Sequence, residues 1–98
     1  MNNLQLTGSA VFSFDSEIHT LFIASQNGRY GVVEAGSWET VIPFRFHHIE
    51  ALASGGFAAW RRNRRTVYHI VQAGTGLRAV PARQELSHAV GKQAVQIA

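Results

Sequence analysis

The sequence predicts an all-β domain, an antiparallel meander of repeated hairpins open to curling or to closing toward a barrel. Three observations carry that expectation. Asn27-Gly28 lies between the apolar stretches Leu21-Phe22-Ile23-Ala24-Ser25 and Tyr30-Gly31-Val32-Val33-Glu34. A two-residue type I′ turn needs positive φ at both central positions, which is why Asn-Gly is the strongest short hairpin signal. The pattern then recurs: Phe22, Ala24, Arg29 and Val32 fall on Phe57, Ala59, Arg64 and Val67, each 35 residues on. Turn signals also return about every 8–12 residues, the spacing of all-β chains.

Taken in order, the chain reads as follows. Val11, Phe14 and Asp15 overlay Phe46, Ile49 and Glu50 as a partial first unit. After the Asn27-Gly28 hairpin, Gly36-Ser37 is a second two-residue turn leading to Glu39-Thr40-Val41-Ile42, a strand that Pro43 should end because proline cannot donate to a ladder. Phe44-Arg45-Phe46 alternates at period 2, and the run continues through Ile49 toward Leu52. Ser54-Gly55-Gly56 is a loop, and Phe57-Ala58-Ala59-Trp60 opens the next hairpin. Gly36, Ile42 and Pro43 map to Gly74, Val80 and Pro81 at an offset of 38, so the second unit carries three more residues, expected in the turn at Val71–Gly76. Arg83–Val90 also fits a short helix, with Leu86 and Val90 one turn apart. The 98 residues make one domain, with units at 1–21 (partial), 22–56 and 57–94 and a remainder at 95–98. Roughly eight to ten short strands are expected, with a core of Phe22, Val32, Ile42, Phe46, Ile49, Phe57, Ala59, Val67 and Val80.

The residues Asn27-Gly28-Arg29-Tyr30-Gly31-Val32-Val33, Gly36, Val41-Ile42-Pro43, Phe46-His47-His48-Ile49-Glu50 and Gly56-Phe57-Ala58-Ala59 together resemble a bacterial WG repeat. Tyr30 stands where that family most often has tryptophan, and His47 where it has aspartate. The second unit keeps Gly74, Val80 and Pro81 but has Arg65-Thr66 at the aromatic-glycine position. The resemblance implies a β meander serving as a scaffold for interactions and implies no activity. The glycine of the aromatic-glycine pair has its own reading: without a Cβ, a neighbouring ring can lie flat on the backbone.

Composition narrows the function classes. Hydrophobic residues at 46% against 15% charged describe a folded globule. The absence of cysteine excludes disulfides, thiolate catalysis and Cys-based metal sites. No signal peptide or membrane-length apolar run is visible, so a cytoplasmic location without membrane association is expected. The net charge of +3 is unevenly spread. Residues 1–60 set Arg29 and Arg45 against Asp15, Glu17, Glu34, Glu39 and Glu50, a net −3; residues 61–98 set Arg61, Arg62, Arg64, Arg65, Arg78, Arg83 and Lys92 against Glu85, a net +6. That split favours an acidic partner for the second half, or head-to-tail self-association.

Arg61-Arg62-Asn63-Arg64-Arg65 is the dense charge run, and repeat register places it at a hairpin tip over Gln26-Asn27-Gly28-Arg29-Tyr30. Trp60 and Tyr68 flank it, and an aromatic beside arginines is the composition of an interface hot spot. Arginines at such a tip also splay outward and keep one another soluble, which a plain solvated tip would equally explain. As a binding surface, the expected residues are Trp60, Arg61, Arg62, Arg64, Arg65 and Tyr68, on a non-catalytic module for another protein with an acidic surface. An inhibitor or immunity-type role fits such a module. The alternative is nucleic-acid binding, with the aromatics as stacking platforms. Open strand edges make a homodimer a further expectation. His47-His48 cannot readily chelate one ion, because neighbours on a strand point to opposite faces. Gly74–Ala79 matches G-x-G-x-x-A only nominally, since Pro81 interrupts any following helix. Asp15 and Glu17, two apart, read as a solvated edge and not as a catalytic pair. No catalytic residue, metal ligand or cofactor is expected.

Overall fold

The computed structural model describes residues 4–74, 76–82, 92–93 and 95–96. Its elements are all strands: β1 (Gln5–Phe14), β2 (Glu17–Gln26), β3 (Arg29–Glu34), β4 (Thr40–Phe46), β5 (His48–Ala51), β6 (Phe57–Arg61), β7 (Arg64–Ala73), β8 (Gly76–Pro81), β9 (Lys92–Gln93) and β10 (Val95–Gln96). The all-β meander expected from the sequence is what forms, as two antiparallel four-strand sheets that do not close into a barrel. One sheet runs β1-β2-β3-β4 with β10 beside β1; the other runs β5-β6-β7-β8 with β9 beside β7. The helix expected over Arg83–Val90 lies outside the described residues.

The Asn27-Gly28 turn forms as its chemistry requires, with φ of 53° and 79°, and it joins Gln26 to Arg29 across the β2–β3 ladder. The same register returns in the second sheet. Phe22↔Val33, Ile23↔Val32, Ala24↔Gly31 and Ser25↔Tyr30 become Phe57↔Tyr68, Ala58↔Val67, Ala59↔Thr66 and Trp60↔Arg65. Every pair shifts by the same 35 residues.

The two units nevertheless bury opposite faces of this shared hairpin. In β2 the core side chains are Leu21 and Ile23, whereas in β6 they are Phe57 and Ala59. Phe22 therefore leaves the expected core and stacks outside on Trp38, with ring centroids 5.9 Å apart. Val67 is likewise only half-buried. Because side chains alternate along a strand, a change of face exchanges the whole buried set. The other expected core residues, Val32, Ile42, Phe46, Ile49, Phe57, Ala59 and Val80, are buried, and β1 adds Ala10, Phe12 and Phe14.

Several local expectations are corrected. Pro43 does not end its strand: β4 runs through it to Phe46. β4 is the edge of its sheet, where a missing N–H can face outward without loss. The link to β4 is longer than a two-residue turn and is closed by Glu34 N–H to Glu39 C=O (2.9 Å) and Trp38 N–H to Glu34 C=O (2.8 Å). The three extra residues of the second unit extend β7 and not the turn, with pairing carried out to Ala73↔Gly76. Ile70 and Val71 are buried there, so the added ladder also adds apolar burial. The run from Phe44 toward Leu52 breaks at His47, where the chain leaves one sheet for the other. Asp15 sits in the β1–β2 turn at φ 46° and does not share a strand with Glu17.

At Gly31 a ring and a neighbouring carbonyl both come close to the backbone. A Cβ there would lie 2.6 Å from the Ile42 carbonyl oxygen and 2.9 Å from Cγ of Phe44. Gly31→Ala is therefore expected to destabilise the domain by about 1–3 kcal/mol, the usual range for overpacking. Urea denaturation measures it, and an unchanged midpoint would contradict the packing described.

Candidate functional site

The arginine run occupies the β6–β7 hairpin tip. Arg61 pairs with Arg64 across a two-residue turn, and Arg62, at the position of Asn27, has φ 59°. A left-handed conformation is unfavourable for a residue with a full side chain. The tip also overhangs its sheet. β5 reaches β6 only as far as Trp60, and β8 reaches β7 only as far as Tyr68. Among the described strands, none flanks Arg61–Val67 on either outer edge.

Arg62 lies in the turn, and strand alternation divides the other five expected binding residues between two faces. Arg61, Arg64 and Tyr68 share one face, with Thr66 between them; Trp60 and Arg65 share the other. On the first face an open cleft of about 750 Å³ is lined by Arg45, Phe46, Arg61, Arg62, Asn63, Arg64, Thr66 and Tyr68. Phe46 comes from the far sheet and meets Tyr68 edge to face, with centroids 6.1 Å apart. On the second face the Arg65 guanidinium lies 5.6 Å from the Trp60 ring centroid, within cation–π range. His48 packs on the other flank of Trp60 at 5.3 Å.

Electrostatically the cleft is unbalanced. Four arginines line it, Arg45, Arg61, Arg62 and Arg64, and among the described residues no carboxylate does. Among the described residues, the ion pairs lie elsewhere: His19 with Glu17 (3.5 Å) and Glu34 (2.7 Å), and His48 with Glu50 (3.2 Å). Arg61 and Arg64 stand directly opposite across the ladder, a placement that is destabilising for like charges. The cleft's remaining polar groups are an amide at Asn63 and hydroxyls at Thr66 and Tyr68. The arrangement can hold a polyvalent oxyanion, because guanidinium forks match carboxylate and phosphate geometry.

Sequence reasoning missed Arg45, Phe46 and His47. Arg45 lines the cleft from β4, and Phe46 contributes to its floor beside Tyr68. His47 accepts a hydrogen bond at Nδ1 from the Arg62 N–H (3.3 Å). The signal for Arg45 was a lone cation on an apolar strand; the long-range contact that makes it matter has no local signature. His47 and His48 have separate partners, Arg62 and Glu50. No group of three or more His, Asp or Glu side chains suited to a metal occurs among the described residues. No helix among them is long and apolar enough to cross a membrane.

Comparison with known protein families, with curated proteins and with solved structures returned no match.

The Arg61–Arg64 pair makes a stability prediction. Arg64→Glu turns a like-charge cross-strand pair into an opposite-charge one. It should raise stability by about 0.5–1 kcal/mol, or about 2–8 °C in Tm. Thermal unfolding at low salt checks this, and a lowered Tm would show that the two side chains do not confront each other.

Proposed function

We propose that this protein is a non-catalytic protein-binding module that docks an acidic surface of another protein through the cleft at the β6–β7 tip. The observation that supports the reading most directly is the Arg61–Arg64 pair, set opposite on an overhanging hairpin in a cleft that no described carboxylate lines. Like-charge repulsion of this kind lowers stability, and a bound anion relieves it. The cleft gives the charge a shape: cations on both walls and an aromatic floor of Phe46 and Tyr68. Blocking another protein, as an inhibitor or immunity-type partner does, asks nothing more of the chain than such a surface. The resemblance to WG repeats supports the same reading, with the meander as scaffold and a bacterial cytoplasm as the setting.

Nucleic-acid binding is the weaker reading on geometric grounds. Stacking platforms for successive bases need rings on one side of the sheet, and Trp60 and Tyr68 lie on opposite sides. Trp60 is also flanked by Arg65 and His48.

Fluorescence anisotropy tests the proposal with a labelled oligoglutamate peptide and a labelled single-stranded oligonucleotide of equal charge. The peptide is expected to bind the wild type and to bind Arg64→Glu at least about tenfold more weakly, since a charge-assisted contact is worth about 1.5–3 kcal/mol. That substitution is the one expected to stabilise the fold, so loss of binding cannot be laid to unfolding. Undiminished binding by Arg64→Glu would remove the cleft from the mechanism. Tighter binding of the oligonucleotide, with a steep loss on adding salt, would replace the protein partner by nucleic acid.

A further inference from the structure

We infer that His47 is the positioning residue of the arginine cleft, the side chain that sets the tip in its ligand-ready shape; this rests on the cleft being the binding site. The tip has every reason to be loose. Among the described strands, none flanks Arg61–Val67, Arg62 is held at φ 59°, and like charges face each other across Arg61 and Arg64. Two bonds from one residue tie it back. The His47 backbone N–H donates to the Trp60 carbonyl (2.8 Å), and the Arg62 N–H donates to His47 Nδ1 (3.3 Å). The second falls on the one residue of the hairpin with an unfavourable backbone conformation, where an outside acceptor offsets the strain.

The place of His47 in the chain gives these bonds a second consequence. It directly follows Arg45 and Phe46, which bring the end of β4 to the cleft opposite the tip. One residue therefore joins both walls, and the separation of Arg45 from Arg61, Arg62 and Arg64 is set by how His47 holds the tip. Binding loses less affinity to ordering when the donors are already in place. The ring must present an unprotonated Nδ1, and so carry its hydrogen on Nε2.

The test uses the full chain and the labelled oligoglutamate peptide. His47→Leu keeps bulk and removes the acceptor; His47→Asn restores an acceptor, since Asn Oδ1 occupies the place of His Nδ1. His47→Leu is expected to bind about fivefold more weakly, the value of one hydrogen bond, and His47→Asn to recover most of that loss. The Arg62 amide should exchange faster with solvent in His47→Leu and return to wild-type protection in His47→Asn. In the unsubstituted protein, ¹⁵N shifts of the imidazole should report the Nε2–H tautomer. An Nδ1–H ring, or equal weakening by Leu and Asn, overturns the inference. If His47→Leu binds as well as wild type while Arg64→Glu does not, His47 is excluded and the cleft stands. A peptide that ignores Arg64→Glu, or fails to bind the wild type, overturns the cleft reading and this inference with it.

Discussion

The rest of the molecule depends on aromatic contact between the two sheets. Phe12 of β1 and Phe57 of β6 meet with centroids 5.8 Å apart, and both are almost wholly withdrawn from solvent. Each such side chain contributes about 1.5–3 kcal/mol by leaving water. A second contact across the same gap, Phe46 to Tyr68, lies toward the tip and floors the cleft. Each sheet is long enough to hold together only if its apolar face is covered, and here each sheet covers the other's face. The cleft is the end of that packing, where the core thins and charge takes over.

Two copies of one hairpin serve different ends in this arrangement. At Asn27-Gly28 the turn residues suit the turn, and the tip is relaxed. At Arg62-Asn63 the register is unchanged, but Arg62 takes the left-handed position. Local sequence and local geometry agree in the first copy and conflict in the second. Conflicts of this kind tend to gather where a protein binds or catalyses. The first copy is locally relaxed, and the conflict is confined to the second.

Much of this was legible in the chain. Asn27-Gly28 located one hairpin, and the 35-residue shift located the other with its register intact. The tip assignment of Arg61–Arg65 followed from that overlay alone. The choice of buried face was not legible. Phe22 and Phe57 are the same residue at the same repeat position, yet one lies outside and the other at the core. Repeat similarity specifies backbone pairing, while the face that is buried depends on where the second sheet lies. The same limit hid the split between Trp60 and Tyr68. It also hid the partnership of Arg45 with a tip that lies 16 or more residues away in sequence. Pro43 misled for a related reason, since its meaning turns on whether its strand is central or at an edge.

Among the described residues, acids are held away from the cleft. Glu34 accepts from the half-buried His19, and Glu17 accepts from Gln72 Nε2 across the sheet gap (3.4 Å). Both serve the end of the sandwich marked by the β1–β2 turn. Glu50 lies against His48 on the outer face of β5, on the side of Trp60 and Arg65. None of the three lines the cleft. At physiological salt, charges more than about 8 Å apart across solvent scarcely feel one another. Acids of the first half that lie beyond that range are screened from the arginines of the second, whatever the net charge of the chain. A net +3 describes the molecule poorly. What the cleft presents is four guanidinium groups with no carboxylate among the described residues that line it, a local excess of positive charge that the net figure hides.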